Sequence, residues 1–255
     1  MILDGKKLAE VRTAELLKER ERFGALTLGI AVMTEDAVTS SFLRIKNRVA
    51  ESLHIPVVQA PSLSGLSSTD GVILQLPLPD GVDSERERNN IPLAKDVDVL
   101  SNAAYQKFVE GAYPPPPVPR AMEYVLKSNG IDVRGKKVVV IGQGRLVGKP
   151  AAELMRQRGA NVFTLEKGDD IASQTLDADI VILGAGEPHL LKPEMVKQGV
   201  IILDAGTSES SGKVVGDADP ACAEKAALFT PTPGGIGPIA VVEIFSNLLQ
   251  LVQMR

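Results

Sequence analysis

The N-terminal part of the chain shows two kinds of apolar pattern. Residues 6–22 and 40–53 place apolar side chains at helical spacing, so each predicts a helix with one buried face. Residues 26–33, 55–59 and 71–76 are short, mostly apolar runs that predict buried strands. Helices that alternate with buried strands are typical of a parallel sheet, so this part of the chain predicts an α/β domain.

A second alternating series follows a run of prolines. Residues 114–119 are almost entirely proline, which cannot form a helix interior or a central strand, so they mark a candidate domain junction. Residues 120–129 predict a connecting helix, and residues 61–70 read as a polar loop without evident structure. The strands predicted after the junction are 138–141, 161–165, 179–183, 200–203 and 227–229. The helices predicted among and after them are 148–158, 171–176, 193–198 and 239–253.

The composition narrows the class of protein. The chain has 255 residues, 44% of them apolar and 24% charged, as in ordinary soluble globular proteins. The net charge of −4, without a long basic run, argues against a nucleic-acid partner. No apolar run is long enough to cross a bilayer and the first residues lack a signal-peptide pattern, so we expect a cytoplasmic protein. The single Cys222 and the two distant histidines, His54 and His189, argue against a disulfide or a metal site.

Three glycines follow the first apolar run of the second series. Gly142, Gly144 and Gly148 come directly after residues 138–141 and before a predicted helix. Glycine in such a turn lets backbone amides approach a pyrophosphate, and the helix N-terminus favours its negative charge. The spacing is one residue longer than that of the common dinucleotide fingerprint. A strand-to-helix turn that binds nothing is the alternative, but the following strands and helices favour dinucleotide binding.

Charged residues after the next strand bear on the choice of dinucleotide. Glu166 lies about 20 residues beyond the glycine turn, where an acidic side chain can hold a ribose 2′-hydroxyl and so favour NAD. Arg145 and Lys167 could instead pair with a 2′-phosphate. A solvated charged loop is an equally good interpretation of these residues.

A lysine in the second predicted helix is a candidate proton donor or acceptor. Lys46 lies four residues after Phe42, so both can share one helix face, and a partly buried lysine has a lowered pKa. The helix alone favours an ordinary solvated lysine. Gln75 stands at the carboxyl end of a predicted strand, where open α/β sheets place ligands. Asp98 ends the segment Lys95-Asp96-Val97-Asp98, whose two carboxylates are too loosely spaced to indicate a metal site.

Several short segments have a more specific pattern when they are taken in chain order. They are Asp4-Gly5-Lys6, Lys46, Asp70-Gly71, Gln75-Leu76-Pro77-Leu78-Pro79, Lys95-Asp96-Val97-Asp98, Val140-Ile141-Gly142, Val147-Gly148-Lys149-Pro150, Val215-Gly216-Asp217 and Pro233-Gly234-Gly235-Ile236-Gly237-Pro238. Together they resemble the bifunctional methylenetetrahydrofolate dehydrogenase/methenyltetrahydrofolate cyclohydrolase family. The resemblance extends over nearly the whole chain.

The resemblance implies a two-domain α/β fold. Residues 1–118, completed by a C-terminal helix at 239–255, would form the folate-binding catalytic domain. Residues 119–238 would form a Rossmann-like NAD(P)-binding domain, with the active site in the cleft between the two. The family forms homodimers and acts in one-carbon metabolism, with tetrahydrofolate derivatives as substrates.

The resemblance also implies roles for individual residues. The methylene bridge of the folate would give a hydride to NADP, or to NAD because of Glu166, and water would then open the methenyl ring to the formyl product. Lys46 would handle the proton, Gln75 would position Lys46, and Asp98 would hold the pterin ring. The residues implied in substrate binding are Phe42, Leu76, Pro77, Pro233, Gly234 and Gly235. Those implied in cofactor binding are Gly142, Gln143, Gly144, Arg145, Val147, Gly148, Glu166, Lys167, Gly184 and Gly237.

The chain departs from the family pattern at several positions. Phe42 stands where the family commonly has tyrosine, so one alternative is a dehydrogenase with weak or lost cyclohydrolase activity. Gln143-Gly144 and Glu166-Lys167 replace Arg-Ser and His-Ser where a 2′-phosphate would bind, and residues 61–70 are too short for a helix that is usual there. Another alternative is a non-catalytic folate- or nucleotide-binding relative, against which the retained lysine, glutamine and aspartate argue.

Overall fold

The computed structural model describes residues 1–34, 37–210 and 213–255, which form two compact units. The first unit consists of residues 10–117 and 241–255, and the second of residues 1–9 and 118–240. The division at residue 117 falls inside the proline run. The first nine residues lie in the second unit, whereas the resemblance assigned them to the folate-binding domain.

The first unit contains a three-stranded parallel sheet. Its strands β1 (Leu28–Ala31), β2 (Val57–Ala60) and β3 (Gly71–Leu74) stand in the order β2-β1-β3. The helices of this unit are α1 (Gly5–Arg20), whose residues 5–9 belong to the second unit, α2 (Ala37–Ser52), α3 (Ser84–Asn89) and α4 (Asn102–Val109). The short helices α3 and α4 were not predicted, because α3 has no apolar residue and α4, with eight residues, is too short for a clear helical repeat.

Residues 61–70 are not the unstructured loop that the sequence indicated. They contain a 3-10 helix at Leu63–Leu66, and Leu66 is buried. A Cβ atom at Gly29 in β1 would lie 3.0 Å from Leu66 Cδ2, so this leucine lies directly on the strand. The hydroxyl of Thr69 lies 2.9 Å from the carbonyl oxygen of Leu66 and fixes the end of the turn. One leucine thus covers the sheet where no longer helix is present.

The second unit contains a five-stranded parallel sheet. Its strands are β4 (Lys137–Ile141), β5 (Asn161–Leu165), β6 (Ile180–Leu183), β7 (Ile201–Asp204) and β10 (Leu228–Thr230), in the order β10-β7-β6-β4-β5. The strands β8 (Ser208–Ser210) and β9 (Lys213–Val215) form a separate antiparallel pair. The helices are α5 (Pro117–Ser128), α6 (Gly148–Gln157) and α7 (Ile171–Thr175). The predicted α/β class with a Rossmann-like second sheet is confirmed.

Two predicted helix positions need correction. The helix after the proline run begins at Pro117 rather than at residue 120, because proline is tolerated in a first turn whose amides have no partner within the helix. Residues 193–198 form only a 3-10 turn at Pro193–Met195.

The last helix, α8 (Ile236–Gln253), extends from the second unit into the first. Within the described residues it is the single helix long and apolar enough to cross a membrane, but 67% of that span is buried inside the protein. This burial is typical of a core helix. On its first-unit part, the buried Glu243 accepts a hydrogen bond of 2.8 Å from Arg12 Nε of α1.

Candidate active site

The lysine that the sequence indicated has a defined set of polar neighbours in the first unit. Lys46 Nζ on α2 donates a hydrogen bond of 2.7 Å to Gln75 Oε1, directly after β3. The side-chain amide of Gln75 donates in turn to the carbonyl oxygen of Leu76 at 2.6 Å. Because that contact uses the NH₂ group, the oxygen of the Gln75 amide is left facing the lysine. Gln75 is 6% exposed, so its orientation is held by the protein rather than by solvent.

Burial shifts both charged groups of this site towards neutrality. Desolvation lowers the pKa of Lys46, and the negative charge of Asp98 partly offsets that shift. Desolvation also raises the pKa of Asp98 to about 6, although the charge of Lys46 opposes this. An amine and a carboxylate whose pKa values lie closer together than usual can exchange protons with a substrate near neutral pH.

The loop that holds Asp98 is fixed by residues from distant parts of the chain. The buried carboxylate of Asp96 accepts hydrogen bonds from the amides of Leu100 and Ser101 at 3.0 and 2.8 Å. The side chain of Asn247, on α8, donates to the carbonyl oxygen of Val97 at 2.8 Å. Sequence reasoning missed Asn247, which lies 150 residues from its partner and in no recognisable motif.

The backbone beside Asp98 is strained. Val99 has a φ of 57° and is buried. A β-branched residue rarely adopts this left-handed conformation, and such strain persists where the surrounding contacts over-determine it. The contacts made by Asp96 and Asn247 supply that constraint and so determine the position of Asp98.

The glycine turn of the second unit has the close approaches that glycine permits. A Cβ atom at Gly142, where φ is +88°, would lie 2.6 Å from Cα of Ala185, and one at Gly148 would lie 1.7 Å from the Gly142 carbonyl oxygen. At Gly144 the nearest atom, the oxygen of Gly184, is 3.9 Å from such a Cβ, so this side of the turn is open. A ligand can therefore approach the backbone at Gly144.

The helix after the turn contributes less than the sequence indicated. The amide of Lys149 donates to the carbonyl oxygen of Gly144 at 3.1 Å, and Pro150 has no amide hydrogen. Two of the first three residues of α6 therefore have no free donor for an anion. The backbone of the turn itself must supply most of the contact.

The residues that the sequence implicated in the choice of dinucleotide lie in or beside this turn. The amide of Gly142 donates to the carbonyl oxygen of Leu165 at 2.9 Å, so Glu166 directly follows the strand end that pairs with the turn. The side chains of Glu166 and Lys167 are exposed, and Arg145 is half-buried. Gln143 Nε2 donates to the carbonyl oxygen of Gly142 at 2.9 Å.

The remaining predicted residues divide between the two units. Leu76 and Pro77 follow Gln75 in the first unit. Pro233, Gly234 and Gly235 belong to the second unit, where the carbonyl oxygen of Gly234 accepts a hydrogen bond of 2.9 Å from the amide of Gly5.

Three more positions were implied in substrate or cofactor binding, and the structure describes the surroundings of two of them. Gly237 lies in the first turn of α8, and Gly184 faces Val147, whose Cγ1 would be 2.5 Å from a Cβ there. The side chain of Phe42 is outside the described residues.

These features define a class of protein. A parallel sheet with a glycine turn after β4 and an acidic residue after β5 is typical of a dinucleotide-binding unit. The lysine, amide and carboxylate of the first unit form a site suited to moving a proton. The described residues therefore form a two-unit α/β protein that carries a candidate site of each kind.

Comparisons with known proteins agree with this class. Residues 116–255 match the NAD(P)-binding domain of the tetrahydrofolate dehydrogenase/cyclohydrolase family. The chain is 34% identical over 276 residues to the bifunctional protein FolD of Aquifex aeolicus, covering 98% of this chain and 94% of that protein. The crystal structure of the FolD dehydrogenase/cyclohydrolase of Campylobacter jejuni is 29% identical, with a TM-score of 0.92 and coverage of 100% and 99% of the two chains. The Trypanosoma brucei FolD structure, complexed with NADP and an inhibitor, is 26% identical, with a TM-score of 0.90 and coverage of 100% and 97%.

The chain belongs to the tetrahydrofolate dehydrogenase/cyclohydrolase family. The resemblance seen in the short sequence segments is thereby confirmed.

Proposed function

We propose that the protein oxidises 5,10-methylenetetrahydrofolate to 5,10-methenyltetrahydrofolate with NAD(P), and hydrolyses that product to 10-formyltetrahydrofolate. The observation on which this depends most is the hydrogen bond between Lys46 and Gln75 beside Asp98. A non-catalytic relative would have no need to retain a half-buried lysine beside a desolvated carboxylate, since desolvating either charge is costly. Membership of the family supplies the substrate class.

The residues of the second unit fit a nicotinamide dinucleotide. The turn is closed by glycines at which a Cβ would collide with backbone, and it is open at Gly144, as a pyrophosphate-binding turn requires. Gly144 and its neighbours would hold the pyrophosphate, and Glu166, Lys167 and Arg145 would face the ribose that distinguishes NAD from NADP. The chemistry supplied by the bound dinucleotide is acceptance of the hydride that the methylene bridge gives up.

The chain's own residues account for the hydrolytic half. Water adds to the methenyl carbon and loses one proton to give a hydroxyl group. The hydroxyl then loses its proton to form the formyl C=O while the bond from that carbon to N5 breaks. N5 keeps the electron pair and takes a proton, so one proton is released overall. Lys46 Nζ is the group that would carry a proton between the hydroxyl and N5, because desolvation lowers its pKa and so makes the neutral amine easier to reach than in a solvated lysine. Gln75 would hold the amine in place, since its oxygen accepts from Nζ at 2.7 Å.

Asp98 would hold the pterin ring of the folate. A carboxylate accepts two parallel hydrogen bonds from adjacent N–H groups, such as those on the edge of a pterin. Its position is held by the contacts of Asp96 and Asn247 with the loop, so the ring would be oriented by a preformed acceptor. Such orientation matters most for hydride transfer, which needs the two carbons held close and aligned.

NADP is the proposed cofactor, with weak discrimination against NAD. Glu166 would repel a 2′-phosphate, whereas Lys167 and Arg145 would attract it. Glu166 and Lys167 follow the strand end that pairs with Gly142, and Arg145 lies three residues after Gly142 in the glycine turn.

The second candidate is a dehydrogenase with little cyclohydrolase activity. Phe42 stands where the family commonly has tyrosine, and a phenyl ring can stack on a flat substrate but cannot donate a hydrogen bond. The retained contact between Lys46 and Gln75 favours the bifunctional enzyme.

We further propose a cytoplasmic homodimer that acts in one-carbon metabolism, including the formyl supply of purine biosynthesis. The edge strand β2 exposes 42% of Val58, and the neighbouring α2 exposes 43% of Ile45. An open strand edge with apolar side chains favours a second copy as its partner. Sedimentation velocity should find a dimer, and Val58→Lys should shift it towards monomer. Cys222 is a buried free thiol, as expected in a reducing compartment.

Two assays test the catalytic proposal. The first follows oxidation of methylenetetrahydrofolate with NADP and with NAD, and the second follows hydrolysis of methenyltetrahydrofolate without any dinucleotide. Activity in both supports the bifunctional enzyme, oxidation alone supports the second candidate, and inactivity in both overturns the proposal.

A further inference from the structure

Two buried carboxylates of the second unit have no part in the function proposed so far. Asp204 ends strand β7 and Asp217 follows β9, and both are at most 1% exposed. Desolvation raises the pKa of each, which shows that the fold buries these carboxyl groups at a cost. Such a cost is often a sign of a role in a functional site.

The carboxyl group of Asp217 accepts hydrogen bonds from three backbone amides of one loop. Its Oδ2 accepts hydrogen bonds from the amides of Ala185 and Gly186 at 2.7 and 3.0 Å, and its Oδ1 accepts from the amide of Glu187 at 2.9 Å. Three consecutive amides after strand β6 thus point at one carboxyl group. The Asp217 carboxyl group therefore constrains the backbone of residues 185–187.

The same loop lies against the glycine turn. A Cβ atom at Gly142 would be 2.6 Å from Cα of Ala185, and one at Gly184 would be 2.5 Å from Cγ1 of Val147. Residues 184–185 therefore contact both ends of the turn that precedes α6. A shift of this loop cannot leave the turn unchanged, because neither contact has free space.

Asp204 holds Asp217 in the same manner. Its Oδ1 accepts from the amides of Gly206 and Asp217 at 2.9 and 3.3 Å, and its Oδ2 accepts from the amide of Ala218 at 2.9 Å. Each of the two carboxyl groups also packs closely against a glycine that lies near the other aspartate in the sequence. A Cβ at Gly206 would lie 2.1 Å from the carboxyl carbon of Asp217, and one at Gly216 would lie 2.1 Å from Asp204 Oδ2.

We propose that Asp217 is a positioning residue for the dinucleotide site: it fixes residues 185–187 against the glycine turn, and Asp204 fixes Asp217. The inference rests on the proposed function, since it assumes that the turn binds a dinucleotide. It assigns a role to the segment Val215-Gly216-Asp217, which the sequence resemblance included without explaining. The lysine site lies in the other unit, and none of the hydrogen bonds described above for Asp204 and Asp217 involves its residues.

The test is the variant Asp217→Asn, which replaces one acceptor oxygen by a donor opposite backbone amides. We measure NADPH binding by fluorescence titration, dinucleotide-free hydrolysis of methenyltetrahydrofolate, and the melting temperature. We expect NADPH binding to weaken about 10-fold or more, because at least one amide loses its partner. We expect the rate of hydrolysis to stay within about twofold, which a general loss of structure would not allow. Asp219→Asn removes the same charge two residues away and should leave NADPH binding unchanged.

The possible outcomes separate the two proposals. If the wild type binds no dinucleotide, the oxidative half of the proposed function fails. If the wild type binds NADPH and Asp217→Asn binds it equally well, the positioning role is overturned. Parallel losses of binding and hydrolysis would also overturn it.

A second variant guards against misfolding. Asp217→Ser keeps a hydroxyl acceptor and introduces no opposing NH₂ group, and we expect it too to bind NADPH weakly while it hydrolyses normally. Failure of both variants to fold would assign the pair to overall stability and overturn the proposal.

Discussion

The lysine site and the glycine turn are built in opposite ways. Lys46, Gln75 and Asp98 are side chains from three distant segments, brought together by the sheet of the first unit and fixed by a further residue, Asn247. The glycine turn is a continuous segment whose function lies in its backbone and in the side chains that it lacks. A side-chain site fails when one functional group is lost, whereas a backbone site fails when one atom is added.

The largest expected effect is at the lysine. Lys46→Met keeps the length and the apolar stem but removes the proton, so we expect the rate of methenyltetrahydrofolate hydrolysis to fall about 100-fold or more. Hydride transfer should be largely retained, because it depends on alignment rather than on this proton. Both rates are measured on the same preparation. Arg48→Met, at an exposed position two residues along α2, is the control and should change neither.

Equal losses of the two activities in Lys46→Met would show that the lysine positions the substrate. No loss in either activity would show that Lys46 is an ordinary surface lysine. The contrast between a side-chain site and a backbone site would then not hold.

The corresponding test of the glycine turn adds one methyl group to its backbone. In Gly144→Ala the new Cβ meets no atom closer than 3.9 Å, so we expect the melting temperature to change by about 2 °C or less. The methyl group would occupy the side from which a pyrophosphate approaches, so we expect NADPH binding to weaken about 10-fold. Gly24→Ala, which also meets no atom within 4 Å, is the control for the change of residue type. Unchanged NADPH affinity in Gly144→Ala would show that the dinucleotide lies elsewhere.

The pH dependence of hydrolysis tests the role of Asp98 in the lysine site. Asp98 has a pKa raised from 3.8 to about 6, so it is protonated below about pH 6 and ionised above it. If the carboxylate holds the pterin, kcat/KM for hydrolysis should rise through pH 6 as the pH increases, by up to about 10-fold per unit on the acid side. Asp98→Asn should lose this acid limb. Because Lys46 titrates in the same site, a limb that survives in the variant would assign it to another group.

The two sites also differ in how far the sequence predicted them. The glycine turn was predicted to the residue, since its strand, glycines and helix are consecutive and each has a local physical reason. Lys46 on its own predicted only a surface lysine, and its role came from the family resemblance. Asp96 and Asn247 could not be assigned, because their contacts depend on how the loop between α3 and α4 meets α8. Leu66 was missed for a similar reason, since one buried leucine in a polar segment leaves no periodic pattern.

The smallest expected effect concerns the residues that flank the turn. Glu166 is exposed beside the strand end that pairs with Gly142, so its charge acts through solvent and its repulsion of a 2′-phosphate is weak. Glu166→Gln keeps the shape and removes the charge. We expect the ratio of kcat/KM for NADP to that for NAD to rise about 3- to 10-fold at low ionic strength. The gain should shrink in high salt, because screening weakens only the electrostatic part of the preference. A wild type that already prefers NADP strongly, with no change in the variant, would show that Glu166 points away from the ribose. The discrimination would then rest on Lys167 and Arg145, the two cations proposed to attract the 2′-phosphate.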